Sequence, residues 1–446
     1  MFVTTSRRVN FWTLAAAGLF GLVLLEGGSD RANAQPPAAQ KTGAATPEAM
    51  LAGEWPQFLG PQRNGLSSEP NLLETWPEGG PKVVWRVPGG VGMSGIAISR
   101  GRVLTLVQRE GQQWVVALNS RTGESLWETA IADAYRNPMG DGPRATPAIV
   151  GNQVFVFSGA GLLVALDVRD GKQLWSASPL TELSGTEAEY GMASSPLVIG
   201  DQVIVTVGAA KGTLVAYDIQ TGKQVWTAGK DPAGYSSPTL LEVGGRSQIV
   251  SYTGRSVLGV APKTGEVLWC YPFETNYDCN IATPLSINGQ LFLSAGENHG
   301  SVLLDLKPKA NGGKFEVTEV WQSFGPKSVL RSEWQTPILL DGFLYGMDNV
   351  GGAGPVTHLA CVNATTGKQA WQVPRFGKGN LIAADGKLFM TTMAGELVVA
   401  RASSKKYDEL GRVTVLETTR QAPTLSNGRL FLRDGREIVC LDVRKP

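Results

Sequence analysis

Ala165-Leu-Asp-Val-Arg-Asp-Gly-Lys-Gln-Leu-Trp175 is one copy of a phrase that returns along this chain. The others are Ala117-Leu-Asn-Ser-Arg-Thr-Gly-Glu-Ser-Leu-Trp127, Ala216-Tyr-Asp-Ile-Gln-Thr-Gly-Lys-Gln-Val-Trp226, Gly259-Val-Ala-Pro-Lys-Thr-Gly-Glu-Val-Leu-Trp269 and Cys361-Val-Asn-Ala-Thr-Thr-Gly-Lys-Gln-Ala-Trp371. Each predicts a β-hairpin. An Asp or Asn four residues before the Gly can hydrogen-bond amides in the turn, and the Gly takes a positive φ without a Cβ penalty. The Trp then stands on the second strand, placed to pack on a neighbouring unit. By subtraction, Trp127, Trp175, Trp226, Trp269, Trp321 and Trp371 are separated by 48, 51, 43, 52 and 50 residues. Periods of this size mean four-stranded propeller blades.

The blade count follows from outer strands near Trp85, the six Trp residues above, and Val413-Thr-Val-Leu416, which makes eight. Innermost strands carry a second marker: Thr146-Pro, Ser195-Pro, Ser237-Pro, Thr283-Pro, Thr336-Pro and Ala422-Pro each precede a short apolar run. Proline is tolerated at the first residue of a strand because it removes only a terminal donor. Lys82-Val-Val-Trp-Arg-Val87 has no hairpin partner before it, and the strands 428–433 and 437–442 have no outer strand after them. The expected fold is therefore all-β, an eight-bladed propeller whose N- and C-terminal strands share one blade and leave no open edge there.

Arg7 and Arg8, the apolar run from Phe11 to Leu25 and Ala32-Asn-Ala34 have the layout of a secretory signal peptide over residues 1–34, too short for a membrane anchor. Ser6-Arg7-Arg8 leaves both general and twin-arginine export open. Residues 35–53, rich in Pro and Ala, are expected to be a disordered tether, with the propeller occupying 54–446 in the periplasm or outside the cell. The segment from Trp55 to Gly65 suits a strap over the propeller rather than another blade. A formal net charge of +1 argues against a nucleic-acid partner, which demands a basic excess. Four cysteines are too few for a disulfide framework. Cys361 and Cys440 occupy the position of Ala117, Ala165 and Ala216 and are expected to be buried thiols, while a bridge between Cys270 and Cys279 is left open.

The phrase Ala-x-Asp/Asn-x-x-Thr-Gly-x-x-x-Trp resembles the tryptophan-docking repeat of the pyrroloquinoline-quinone (PQQ) superfamily of propellers. The resemblance covers nearly everything from Trp55 onward and implies indoles stacked between eight blades. That superfamily holds quinoprotein alcohol dehydrogenases and the non-enzymatic assembly factor BamB. The dehydrogenases place PQQ against a Trp and a disulfide between adjacent cysteines, and this chain has no Cys-Cys pair and no Cys-x-x-Cys-His haem motif. With His299 and His358 as its two histidines, it has no ordinary His-based zinc or triad constellation.

Polar and aromatic residues concentrate in the loops that lead into the innermost strands, all at one end of a ring. Arg144, Glu189, Tyr190, Tyr235, Asn280, Trp334, Asn380 and Arg420 are the candidate ligand-binding residues, since a rigid scaffold places function on its loops. Arg offers a planar fork to a carboxylate or phosphate, and Trp and Tyr offer flat faces. The favoured reading is a non-catalytic exported binding or scaffold module that holds a protein, peptide or glycan at this face, with no stable membrane span after signal cleavage. The alternative is a PQQ- and Ca²⁺-dependent oxidoreductase using Glu189, Asn280 and Asp348. A third is a glycan-processing enzyme with a carboxylate pair drawn from Glu189, Glu297 and Glu333. No cofactor is firmly expected, and no metal site.

Overall fold

The computed structural model describes residues 53–310, 312–351 and 356–445. The expected signal peptide and nearly all of the expected tether lie outside the described residues. Eight sheets form the ring. Blades one to seven span 97–133, 148–177, 197–228, 239–272, 285–324, 338–373 and 379–414, each an antiparallel meander running from the innermost strand outward. The eighth takes Thr424–Ser426, Arg429–Arg433 and Glu437–Asp442 from the C-terminal end and Lys82–Pro88 as its outer strand, with Trp85 opposite Cys440. No helix among the described residues is long and apolar enough to cross a membrane.

Each hairpin turn is built as its sequence demands. Asp218 Oδ1 accepts from the amides of Gln220 and Thr221, Asn363 Oδ1 accepts from Thr366 N, and the repeat glycines have φ near +70°. Those glycines have a second reason to be glycine. A Cβ on Gly171 would lie 2.4 Å from the Trp127 ring, and one on Gly222 would lie 2.7 Å from Trp175. The indole of one blade thus presses on the bare backbone of the next. Its N–H then donates across the gap, from Trp85 to Ser120 O, Trp127 to Val168 O and Trp175 to Ile219 O. Trp226 and Trp269 instead donate to glutamines of their own blades, Gln202 and Gln248.

Blade seven departs from the expected register. Its outer strand is Glu409–Thr414, upstream of the expected Val413–Leu416. Across the same bulge that sets Cys361 opposite Trp371 in blade six, Val399 faces Gly411, so glycine stands where the docking Trp belongs. Trp76 fills the gap from outside the blade. A Cβ on Gly411 would meet its ring at 2.6 Å, and its centroid lies 6.0 Å from Phe389, much as Trp85 lies 5.8 Å from Phe431 and Trp371 lies 6.1 Å from Tyr345.

The strap before Trp76 crosses the end of the ring where the innermost strands finish. Trp55 pairs with Ile98, Pro56 O accepts from Ile149 N, and Leu66–Ser67 adds to blade seven parallel to Ala383 and Ala384. Arg63, 3% exposed, donates to Ser195 O and Pro196 O of blade three, and burial lowers its pKa to about 9. All four cysteines are free, with Cys361 and Cys440 buried and Cys270 exposed. Trp76→Ala should cost roughly 3 kcal/mol in equilibrium denaturation, as for loss of a packed aromatic. Gly411→Trp added to that variant should recover part of the loss, because the local indole then occupies the vacated slot.

Candidate functional site

All eight blades contribute the approaches to their innermost strands to one axial cavity of about 600 Å³. Trp55, Phe58 and Leu59 of the strap line it from the end where the innermost strands finish. Hydroxyls of the Ser/Thr-Pro markers belt the wall. Ser195 Oγ accepts from Thr146 N at 3.0 Å, Ser237 Oγ from Ser195 N at 2.9 Å, and Thr336 Oγ1 from Thr283 N at 2.9 Å. The marker therefore joins neighbouring blades at the level of the site, besides starting strands.

Six of the eight candidate residues line this cavity: Arg144, Tyr190, Tyr235, Trp334, Asn380 and Arg420. Arg144 is bound inward, its Nε donating to Tyr190 O at 2.7 Å, Nη2 to Gly140 O at 2.7 Å and Nη1 to Gly142 O, with its guanidinium 4.7 Å from the Tyr135 ring centre. It fixes two lip loops, and burial lowers its pKa. Tyr190 and Tyr235 stack with centroids 5.7 Å apart, and Tyr190 N donates to Tyr235 Oη. Asn380 Nδ2 donates to Arg420 O. Trp334 is the centre of charge: Lys378 Nζ lies 4.5 Å and the Arg420 guanidinium 4.8 Å from its ring centre. A Trp face attracts cations most strongly among the aromatics, so the ring holds both side chains at the cavity.

The other two candidates do not line the cavity, although the Glu189 side chain lies against the Tyr190 hydroxyl at its edge. Glu189 is exposed, and its backbone carbonyl accepts from Asn137 Nδ2. Asn280 is buried and donates to Thr253 O and Phe273 O, a loop-bracing role. Lining residues not among the eight include Met93, Met139, Tyr277, Cys279, Glu297, Glu333 and Lys378. Met93 and Met139 sit in Gly- and Pro-containing loops whose sequence carries no sign that they turn inward. Burial first, then Glu297 and Glu333, pushes the Cys279 thiol up to about 12.

The calcium set proposed from sequence does not fit. Asp348 is bidentate to Arg331, with Nε to Oδ1 and Nη2 to Oδ2 both at 2.7 Å, and this pair is nearly inaccessible. Asn280 has its amide committed, and among the described residues no three His, Cys, Asp or Glu side chains are grouped to hold a metal ion. PQQ itself, a flat tricarboxylate, suits the Trp334 face with Lys378 and Arg420, but the cavity offers no disulfide between adjacent cysteines as its second face.

The family model described as outer membrane protein assembly factor BamB matches residues 82–351 and 356–445. The chain belongs to this family. BamB of Burkholderia pseudomallei is 26% identical over 256 residues, 56% of this chain and 59% of that protein. A quinohemoprotein alcohol dehydrogenase, ADH IIB of Pseudomonas putida, is 33% identical over 140 residues, 29% of this chain and 20% of that protein. This chain therefore spans less than two thirds of the length of either relative. The crystal structure of quinohemoprotein alcohol dehydrogenase from Comamonas testosteroni superimposes with a TM-score of 0.65 at 15% identity, covering 88% of this chain and 80% of that one, which shows the shared fold. The chain is thus a PQQ-like propeller related both to BamB and to quinoprotein dehydrogenases.

With its thiol at about 12, Cys279 should react slowly with iodoacetamide at neutral pH and faster as pH rises, since the thiolate is the nucleophile. Exposed Cys270 should be modified first, and peptide mass spectrometry reads the order.

Proposed function

We propose that this chain is an exported, non-catalytic binding module whose cavity holds a ligand with a flat apolar body and an anionic group. A protein or peptide partner supplies that ligand at the loop face. The observation that carries this reading is Trp334 with Lys378 and Arg420 over its ring, at 4.5 and 4.8 Å, in the wall of a cavity of about 600 Å³. Trp55 and Phe58 of the strap and the stacked pair of Tyr190 and Tyr235 offer aromatic surface to the ligand's body. Lys378 and Arg420 offer positive charge to its acid. The lining cations are held by ring faces, carbonyls and Glu333, an arrangement suited to holding a ligand rather than moving protons on it. The BamB name of the matched family supports an exported setting and a protein partner.

A PQQ-dependent oxidoreductase is the second reading, favoured by the dehydrogenase relative and by the flat, cationic Trp334 wall. One pair of measurements separates the two. Anilinonaphthalene sulfonate, a planar apolar anion, should bind with a rise in fluorescence, and Trp334→Ala with Arg420→Ala should weaken it about tenfold or more, the scale of one or two cation–π and charge contacts. Adding PQQ and Ca²⁺ should give no dye-linked oxidation of alcohols; turnover that Trp334→Ala abolishes would reverse the choice.

A further inference from the structure

A buried carboxyl stands in the cavity wall beside the cations that the proposed ligand would meet. Glu333, 8% exposed, comes from the approach to blade six, and its two oxygens are in different situations. Oε1 accepts from Lys378 Nζ at 3.0 Å, whereas Oε2 is buried with no hydrogen-bond partner among the described residues. The side chain has little room to retreat, since a Cβ on Gly296 would lie 2.7 Å from its Cβ. Behind it, Gln335 Nε2 and Asn349 Nδ2, also without partners among the described residues, border with Glu333 a pocket of about 10 Å³. That is room for about one water, so a neutral donor can reach Oε2 there but a second cationic side chain cannot.

The titratable and charged groups facing Glu333 come from three neighbouring segments. Lys378 stands on the approach to blade seven, Glu297 in the turn between the second and third strands of blade five, and Cys279 on the approach to blade five. The Arg331–Asp348 pair nearby is closed on itself. Burial is the largest influence and disfavours ionisation, Lys378 favours it, and Glu297 opposes it, so the carboxyl titrates above the usual range.

We propose that Glu333 makes anion binding in this cavity proton-linked: the ligand's acid and the Glu333 carboxylate compete for the Lys378 ammonium, and binding is completed when Glu333 takes one proton from solvent. The inference rests on the reading of the cavity as an anion-binding site. No bond other than O–H forms, and the proton goes to a carboxylate oxygen of Glu333. Below the raised pKa Glu333 is already neutral, Lys378 is available to the ligand, and affinity is greatest. Above it each binding event carries a proton, and affinity falls by up to about tenfold per pH unit. The decline stops where pH exceeds the still higher pKa that Glu333 has beside a bound anion.

The test uses the full folded chain and anilinonaphthalene sulfonate, whose sulfonate stays ionised across the range. Fluorescence titrations from about pH 4.5 to about pH 8 span the range in which a raised carboxyl titrates. Calorimetry in two buffers of different ionisation enthalpy counts the protons taken up. The wild type should bind more weakly as pH rises, with uptake approaching one proton, and Glu333→Gln should bind at the low-pH strength throughout, with no uptake. Glu297→Gln should move the midpoint down without abolishing the slope, which a merely structural role for Glu333 would not produce. A flat wild-type profile for binding that still depends on Trp334 would overturn the linkage and leave the binding site standing. A slope that survives in Glu333→Gln would also overturn it and would point to a different titrating group. Absence of any Trp334-dependent binding at every pH would sink the cavity reading itself, and the linkage with it.

Discussion

The contact on which the ring depends is an indole laid against a glycine of the next blade. It asks two things of each repeat: a large flat side chain on the outer strand and no side chain at the turn that receives it. At Gly171, Gly222, Gly265 and Gly367 a methyl would approach a Trp ring to 2.7 Å or less, so the turn glycine is excluded from replacement by packing as well as by φ. Blade seven shows how strongly the slot must be filled. Having Gly411 at the Trp position, it takes Trp76 from the N-terminal segment, while Trp85 from the same segment completes blade eight. Sequence before blade one is therefore as much a part of the ring as any hairpin, although it forms no blade of its own.

This division explains what was legible in the sequence. The repeat phrase carries its own geometry, so blade number, strand order and the shared blade could be read from spacing and from a strand without a local partner. Trp76 could not, because it contacts Gly411 and Phe389 across more than three hundred residues and no local pattern surrounds it. For the same reason the outer strand of blade seven was expected at Val413–Leu416, in the absence of a Trp to set its register, and lies at Glu409–Thr414. Candidates next to a Pro-marked innermost strand, such as Arg144 and Trp334, line the axis, since the marker fixes their position. Asn280 stands one residue further from its marker than Arg144 and Trp334 do from theirs, and its amide is used on Thr253 O and Phe273 O, while Glu189 is exposed. Side-chain direction within a loop depends on which carbonyls lie nearby, and that is a tertiary fact.

The cations of this propeller illustrate one economy of design. Arg433 is fully buried and donates to Gly90 O, Leu106 O and Thr105 Oγ1, so that it bolts blade eight to blade one. Arg63 does the same between the strap and blade three, and Arg144 between two lip loops. Carbonyl and hydroxyl oxygens rather than carboxylates accept from these guanidiniums. Their planar forks suit that use because several donors reach different strands at once. Burial lowers the pKa of Arg63 to about 9 and of Arg433 to about 10, which still leaves both charged at neutral pH.

The strap gives these separate features a common consequence. An open channel through eight blades would keep its wall in bulk water, where charges interact weakly. Trp55, Phe58 and Leu59 instead line the cavity from the strap, at the end where the innermost strands finish. Burial raises the Glu333 carboxyl and the Cys279 thiol above their ordinary ranges, and the neighbouring Glu297 adds to both. The strap thus lines the same cavity as Lys378, Arg420 and Glu333 around Trp334. The segment that completes the ring also lines its centre, so the fold and the site both draw on residues 55–88 before the first blade.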